Sequence, residues 1–338
     1  MAGPPAFSYG GQAVLEGVMI RGRTHYALAV RRQDGSIARH QERLNTLYTG
    51  SIRRVPLARG VLILVETLLL GVKALHRSTA LALQDQQSGR EEEIPPWALG
   101  ATLAVSLALG VAVFFLLPLL LVRVMDPFIT SDLVSNVVEG LLRLGILTGY
   151  VWGIGFLPDI KRVFAYHGAE HMAVHTYEAG LPLTVANVRI FPTPHPRCGT
   201  AFLLAVVLVS IVVFALLGRP SIEWRVLSRV LLLPVIAGIS YEVIRFSGSH
   251  QKGWVGRLLA RPGLLLQRLT TRAPDDGQIE VAICAMEGAM AADADRPYAP
   301  PFPPRAPRAD RRVAAAAGQP PVDPSQWSEP PQPPQDHP

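Results

Sequence analysis

Three histidines, His167, His171 and His175, follow one another at four-residue intervals. Glu170 stands directly before the second, and Glu178 three residues after the third. On a helix, residues four apart share a face, so the imidazoles would form one stripe with Glu178 close to it. His167-Gly-Ala-Glu-His171 is the inverted zinc-hydrolase pattern. Its two imidazoles, one turn apart, can hold a divalent ion, and the carboxylate between them can handle a proton. Further along, His195-Pro-Arg-Cys-Gly-Thr200 offers two more donors, His195 and Cys198. It also carries a cation, Arg197, suited to an anionic substrate or a lipid phosphate. The expected ligands are therefore His167, His171, Glu178, His195 and Cys198, with zinc the favoured ion. Glu170 is the expected general base, with Arg197 beside it as a catalytic residue. The bland alternative is a polar amphipathic helix with its imidazoles at the headgroup level. In that case Cys198 is a small buried residue at the mouth of a span.

These residues sit between long apolar segments. Of 338 residues 49% are hydrophobic, although the end of the chain is polar and rich in proline. Four transmembrane helices are expected, at about 98–122, 133–157, 200–217 and 226–243, each near the length a bilayer core of roughly 30 Å requires. Pro118 should kink the first. Glu139 and Arg143 fall inside the second at i,i+4 and can pair; a position near the outer interface is the expectation. Gly149, Gly153 and Gly155 should serve helix packing there. A helix over 57–83 has too short an apolar core to span and reads as interfacial, with a fifth span as the minority view.

The remaining segments give a small β-rich N-terminal element before that helix, with a hairpin turn at Asp34-Gly35. A helix is expected over 278–290, within a cytosolic C-terminal segment, 244–290. Residues 1–8 and the proline-rich tail, 291–338, should be disordered, because they cannot bury enough apolar surface. The fold class is thus predominantly α-helical and multi-pass. It divides into 9–97 (β element and interfacial helix), the membrane region 98–243 with its cytosolic loop 158–199, and the C-terminal segment.

Orientation follows from Lys and Arg, which crowd the segments before 98, between spans two and three, and after 243. With four spans all three lie on one side, which places both termini and the histidine loop in the cytoplasm. The net charge of +6 and pI near 9.6 then reflect membrane flanks, and no nucleic-acid motif accompanies them. The lipid bilayer is the expected partner, with a homo-oligomer open and the substrate undefined. Two cysteines cannot build a disulfide framework, which suits a reducing compartment. The first ten residues lack the cationic and apolar regions of a signal peptide, so targeting should come from the internal spans. No nucleophile elbow, Walker loop or dinucleotide fingerprint occurs. A transporter built on Glu139 and Arg143 is disfavoured by the few spans and the lack of an inverted repeat.

Several separated motifs resemble one family. They are Gly10-Gly-Gln-Ala-Val-Leu-Glu-Gly-Val-Met-Ile-Arg-Gly22, His167-Gly-Ala-Glu-His171, Tyr177-Glu178, His195-Pro-Arg-Cys-Gly-Thr200, Ala237-Gly-Ile-Ser-Tyr-Glu242 and Leu269-Thr-Thr-Arg-Ala-Pro-Asp-Asp276. Together they are similar to the YqhQ-like bacterial membrane proteins, grouped under a domain of unknown function, 1385, and catalogued as predicted metal-dependent enzymes. The likeness covers about residues 9–290. It implies a multi-pass protein of the bacterial inner membrane and adds Glu16, Arg197 and Glu242 as positions within shared motifs. It supplies no reaction. Two functions follow as expectations: a metal-dependent hydrolase at the cytoplasmic face, or a non-catalytic membrane scaffold with a structural metal or polar site.

Overall fold

The computed structural model describes residues 7–44, 55–83, 95–250, 253–298 and 302. Residues 1–6 and 303–338, most of the two segments expected to be disordered, lie outside them. The chain is mostly helical, with a four-stranded antiparallel sheet at its N-terminus.

The strands β1 (Gly10–Val14), β2 (Gly17–Arg21), β3 (His25–Arg31) and β4 (Ile37–Arg43) pair in sequence order. The turn at Asp34-Gly35 joins β3 to β4 as the sequence predicts. Gly35 adopts φ 81°, and Asp34 Oδ1 accepts from Ser36 N at 2.8 Å. The β1–β2 turn is less orthodox: Glu16 itself takes φ 53°, a left-handed conformation that only glycine adopts freely.

Both faces of the sheet are covered. Alternation sends Val18, Ile20, Ala27 and Ala29 to one side and Met19, Leu28 and Val30 to the other, all buried. The first set packs on α5 (Pro158–Glu178) and α11 (Asp276–Asp293). The second meets α1 (Ala58–Leu83) through Leu70, Ala74 and Leu81. Helix α11 opens with a capping box, Asp275 Oδ1 accepting from Gln278 N and Gln278 Oε1 from Asp275 N, both at 2.9 Å. It runs beyond the boundary expected at 290. Asp293 accepts from the backbone N–H groups of Arg23 and Thr24 at 2.7 and 3.0 Å, tying the start of the nominal tail to the sheet.

Among the described residues, three helical segments, Gly100–Phe128, Asp132–Ile154 (α4) and Gly199–Leu217 (α7), are long and apolar enough to cross a membrane. A bent pair, α8 (Ile222–Leu231) and α9 (Leu233–Ser249), makes a fourth if it counts as one span; the axes differ by 48° at a break next to Pro234. Helix α1 is not among them. The first segment comprises α2 (Pro96–Val111), a π turn (Ala112–Leu116) and α3 (Leu117–Met125). Pro118 has no N–H to offer the Phe114 carbonyl, and Arg143 Nε donates to that oxygen instead, at 2.9 Å.

Glu139 and Arg143 of α4 pair as their spacing predicts, Arg143 Nη2 lying 2.7 Å from Glu139, and each is 1% accessible, enclosed by neighbouring helices. One expectation about α4 needs correction. Gly149 and Gly153 face open space, whereas Gly140 makes the close approach: a Cβ there would lie 2.3 Å from Ile211 of α7.

Candidate metal centre

The histidine stripe lies on α5, which follows α4 after a short bend at Gly155–Leu157 and begins with Pro158 in its first turn. Gly168 lets the helix sit against the segment after α10 (Trp254–Thr270); a Cβ there would fall 2.2 Å from the Arg272 carbonyl oxygen. The 193–198 turn crosses the other side of the stripe. Buried Gln267 of α10 pins it, accepting from His195 N at 2.7 Å and donating to His195 O at 2.9 Å. The turn ends in α7, where Cys198 is the N-cap and Thr200 N lies 3.4 Å from its sulfur.

This framework divides the donors into two groups. His167, His171 and Cys198 place one donor atom each within 4.8 Å of one another; so, separately, do His175, Glu178 and His195. The five expected ligands therefore do not converge on one point, and Glu178 and His195 belong to the second group. Helix geometry explains the division. Eight residues of helix rise about 12 Å and turn about 80° beyond whole turns, so His167 and His175 cannot share an ion.

The hydrogen bonds distinguish the groups chemically. His167 Nδ1 is 2.9 Å from Thr270 O, and His171 Nδ1 is 2.5 Å from Thr193 O. A ring nitrogen facing a carbonyl must carry the proton, so both rings present a bare Nε2. His167 Nε2 lies 3.2 Å from Cys198 Sγ. Two neutral imidazoles held by backbone carbonyls, with a thiol between them, are a donor set that fits zinc. In the second group His195 Nδ1 accepts from Arg197 N at 3.2 Å, so its proton is on Nε2, 3.4 Å from Glu178 Oε2. Glu178 is also ion-paired with the Arg197 guanidinium, whose Nη1 donates to Ser8 Oγ at 2.7 Å. These partners satisfy one another, so a cation here would have to displace the Glu178–Arg197 ion pair. His175 Nε2 faces Pro194 O at 2.9 Å.

Glu170 adjoins the first group, with Oε2 3.5 Å from His171 Nε2. It points toward β1, where Gly11 donates its N–H and lacks the side chain that would collide; a Cβ on Gly11 would lie 3.2 Å from Glu170 Cγ. Burial pushes the Glu170 carboxyl above its ordinary range and pulls the His171 and His195 imidazoles below theirs. Burial lowers His175 to about 4. Both members of the Glu170–His171 pair thus favour the neutral form, and a protonated Glu170 can donate toward the bare Nε2.

Glu16 approaches from the sheet side, pairing with Arg162 and lying 3.4 Å from Tyr166 Oη. Glu242 belongs to neither donor group and pairs with Arg59 of α1. The backbone carbonyls of Thr193 and Thr270 and the side chain of Gln267 escape sequence reading. A lone glutamine on the apolar face of α10 was the only available signal.

The family model described as a protein of unknown function (DUF1385) matches residues 55–292. The uncharacterised protein YqhQ of Bacillus subtilis (strain 168) is 38% identical over 295 residues, an alignment covering 83% of this chain and 91% of that relative. No solved structure matches the chain. The extent of both matches establishes that the chain belongs to the DUF1385 family.

Proposed function

We propose that the protein is a metal-dependent membrane enzyme of hydrolase type, with its centre where the sheet unit meets the membrane helices. His167 Nε2, His171 Nε2 and Cys198 Sγ hold the ion, zinc being the best chemical match. The observation that carries this reading is the pairing of both histidine Nδ1 atoms with backbone carbonyls, which leaves two bare nitrogens beside one thiol. A bound divalent ion supplies Lewis acidity and lowers the pKa of a water. Glu170 is close enough to take up or release a proton at the His171 edge, and its enclosure keeps bulk water from competing. Arg197, held by Glu178 and Ser8, positions the 195–198 turn, and His195 is part of that brace.

The reading includes four spans, α8 and α9 together forming the last, in the bacterial cytoplasmic membrane, with both termini and the metal centre inside. Basic residues flanking the sheet-side ends of the helices support that orientation. The bilayer is the protein's solvent, and a substrate reached along its surface suits a centre at the mouths of α4 and α7.

A second reading has its own support. Glu170 is 3% and His171 2% exposed, an enclosure typical of a closed structural site. Zinc-loaded wild-type and Glu170→Gln protein in vesicles, offered bilayer lipids and membrane-anchored peptides, separate the two. The enzyme reading predicts hydrolysis by wild type alone, with zinc retained by both. No turnover by either, together with a large fall in melting temperature on chelation, favours the structural site and rejects the enzyme.

A further inference from the structure

The end of the helical region farthest from the sheet holds a second concentration of charge. Helix α7 has 19 residues and so separates Cys198 from this end by about 28 Å. Three guanidiniums are enclosed between this end and the middle of α4, Arg143 at 1%, Arg225 at 4% and Arg229 at 0% exposed. They converge on one equally buried carboxylate, Glu139. Arg143 Nη2 and Arg229 Nη2 each reach it at 2.7 Å. Arg143 and Arg229 are otherwise well provided for. Arg143 donates to Ser210 Oγ at 2.7 Å, and both stack over Phe214.

Arg225 is different. Its Nη1 donates to Asp126 at 2.6 Å, but its buried Nε and Nη2 find no hydrogen-bond partner among the described residues, and Nη2 only approaches Glu139 at 3.6 Å. A buried guanidinium with two unused nitrogens is costly unless a further negative group comes within reach. Three enclosed cations against Glu139 and Asp126 also leave one positive charge in excess.

Arg225 lines an open cavity of about 370 Å³ together with Arg123, Arg219 and Asp126. Arg219 is partly engaged, with Asp132 at 3.1 Å, Asp126 at 3.4 Å and the Ile129 carbonyl at 2.9 Å. Arg123 lies at the exposed rim. Bidentate guanidiniums around a recess are the chemistry that holds phosphate oxygens.

We propose that this cavity binds a phosphate-class anion, with Arg225 as its enclosed anchor and Arg219 and Arg123 as the accessible contacts. A lipid phosphodiester headgroup and free phosphate share that chemistry. The cavity lies at the end of the apolar helices, which the four-span reading proposed above puts at a headgroup layer, and this argues for the lipid source. Asp126 holds Arg225 in place at the edge of the recess.

The test uses the full chain in detergent micelles. Its melting temperature is followed with inorganic phosphate against chloride at matched ionic strength. Separately, native mass spectrometry follows retention of phosphatidylglycerol or phosphatidylethanolamine. Wild type is compared with Arg225→Gln and, because that buried change can impair folding, with Arg219→Gln and Arg123→Gln at the rim. The expected result is phosphate-specific stabilisation or phospholipid retention in wild type, weakened at least about tenfold by each rim change. A response to phosphate alone assigns the free ion, and retention of lipid alone assigns the headgroup; either supports the site. Absence of both in wild type, or equal binding by wild type and both rim variants, overturns it.

Discussion

Replacing Glu170 by glutamine should stabilise the metal-free protein, and the sign of its pH dependence follows from the structure. The wild-type carboxyl is enclosed, accepts from Gly11 N, and faces the bare Nε2 of His171 at 3.5 Å. Ionised, it presents an acceptor to an acceptor. Glutamine keeps an oxygen for Gly11 and gives His171 an N–H donor. Satisfying that contact without burying a charge is worth about 1–3 kcal/mol. Burial holds the folded-state pKa above the unfolded value of 4.5. The stability contributed by the wild-type carboxyl is therefore complete below that value and is lost as pH rises through the folded one. Glutamine does not titrate, so the carboxyl's own contribution to the pH dependence is absent from the variant. The advantage of the variant should be smallest near about pH 4 and largest near about pH 8. Thermal melting of chelator-treated protein across that range measures it, at about 2–4 °C per kcal/mol for a unit this large. A variant less stable than wild type at the alkaline end, or a difference independent of pH, would show that Glu170 is not an enclosed neutral acid.

The other predictions concern the partition of donors and the packing that enforces it. His167→Ala should lower zinc affinity by at least about 100-fold, while Glu178→Gln should leave it within about tenfold, as competition with a chelating dye reads directly. Equal losses would mean that the two groups act as one. Gly168→Ala forces a Cβ to 2.2 Å from the Arg272 carbonyl and should cost about 1–3 kcal/mol, seen as a lower melting temperature. His175 is depressed from 6.5 to about 4 by burial, so the unfolded chain takes up its proton first. Metal-free protein should lose stability as pH falls from 6.5 toward 4, and His175→Gln should lessen that slope. An unchanged slope counts against burial as the cause.

Local rules reached the β-rich element and its hairpin, because the Asp34-Gly35 turn is written in adjacent residues. They also reached the stripe on α5. They did not reach its division, because the drift of successive histidines matters only once the 193–198 turn lies across the helix. That turn delivers Cys198 to one end and His195 to the other. Orientation of the imidazoles was equally hidden, since it depends on the carbonyls of Thr193 and Thr270, which carry no side-chain signature. In the helical region the pair Glu139–Arg143 was legible from its spacing. The third and fourth members, Arg229 and Arg225, come from α8, and only the bend beside Pro234 aims them at α4.

The central claim is that His167, His171 and Cys198 hold one ion. X-ray absorption at the zinc edge, on the loaded full-length chain and on Cys198→Ser, addresses it most directly. The account predicts one sulfur neighbour at about 2.3 Å and nitrogen or oxygen neighbours at about 2.0–2.1 Å, the sulfur vanishing in the variant. Zinc absent after loading, or a coordination shell without sulfur that Cys198→Ser leaves unchanged, would contradict it.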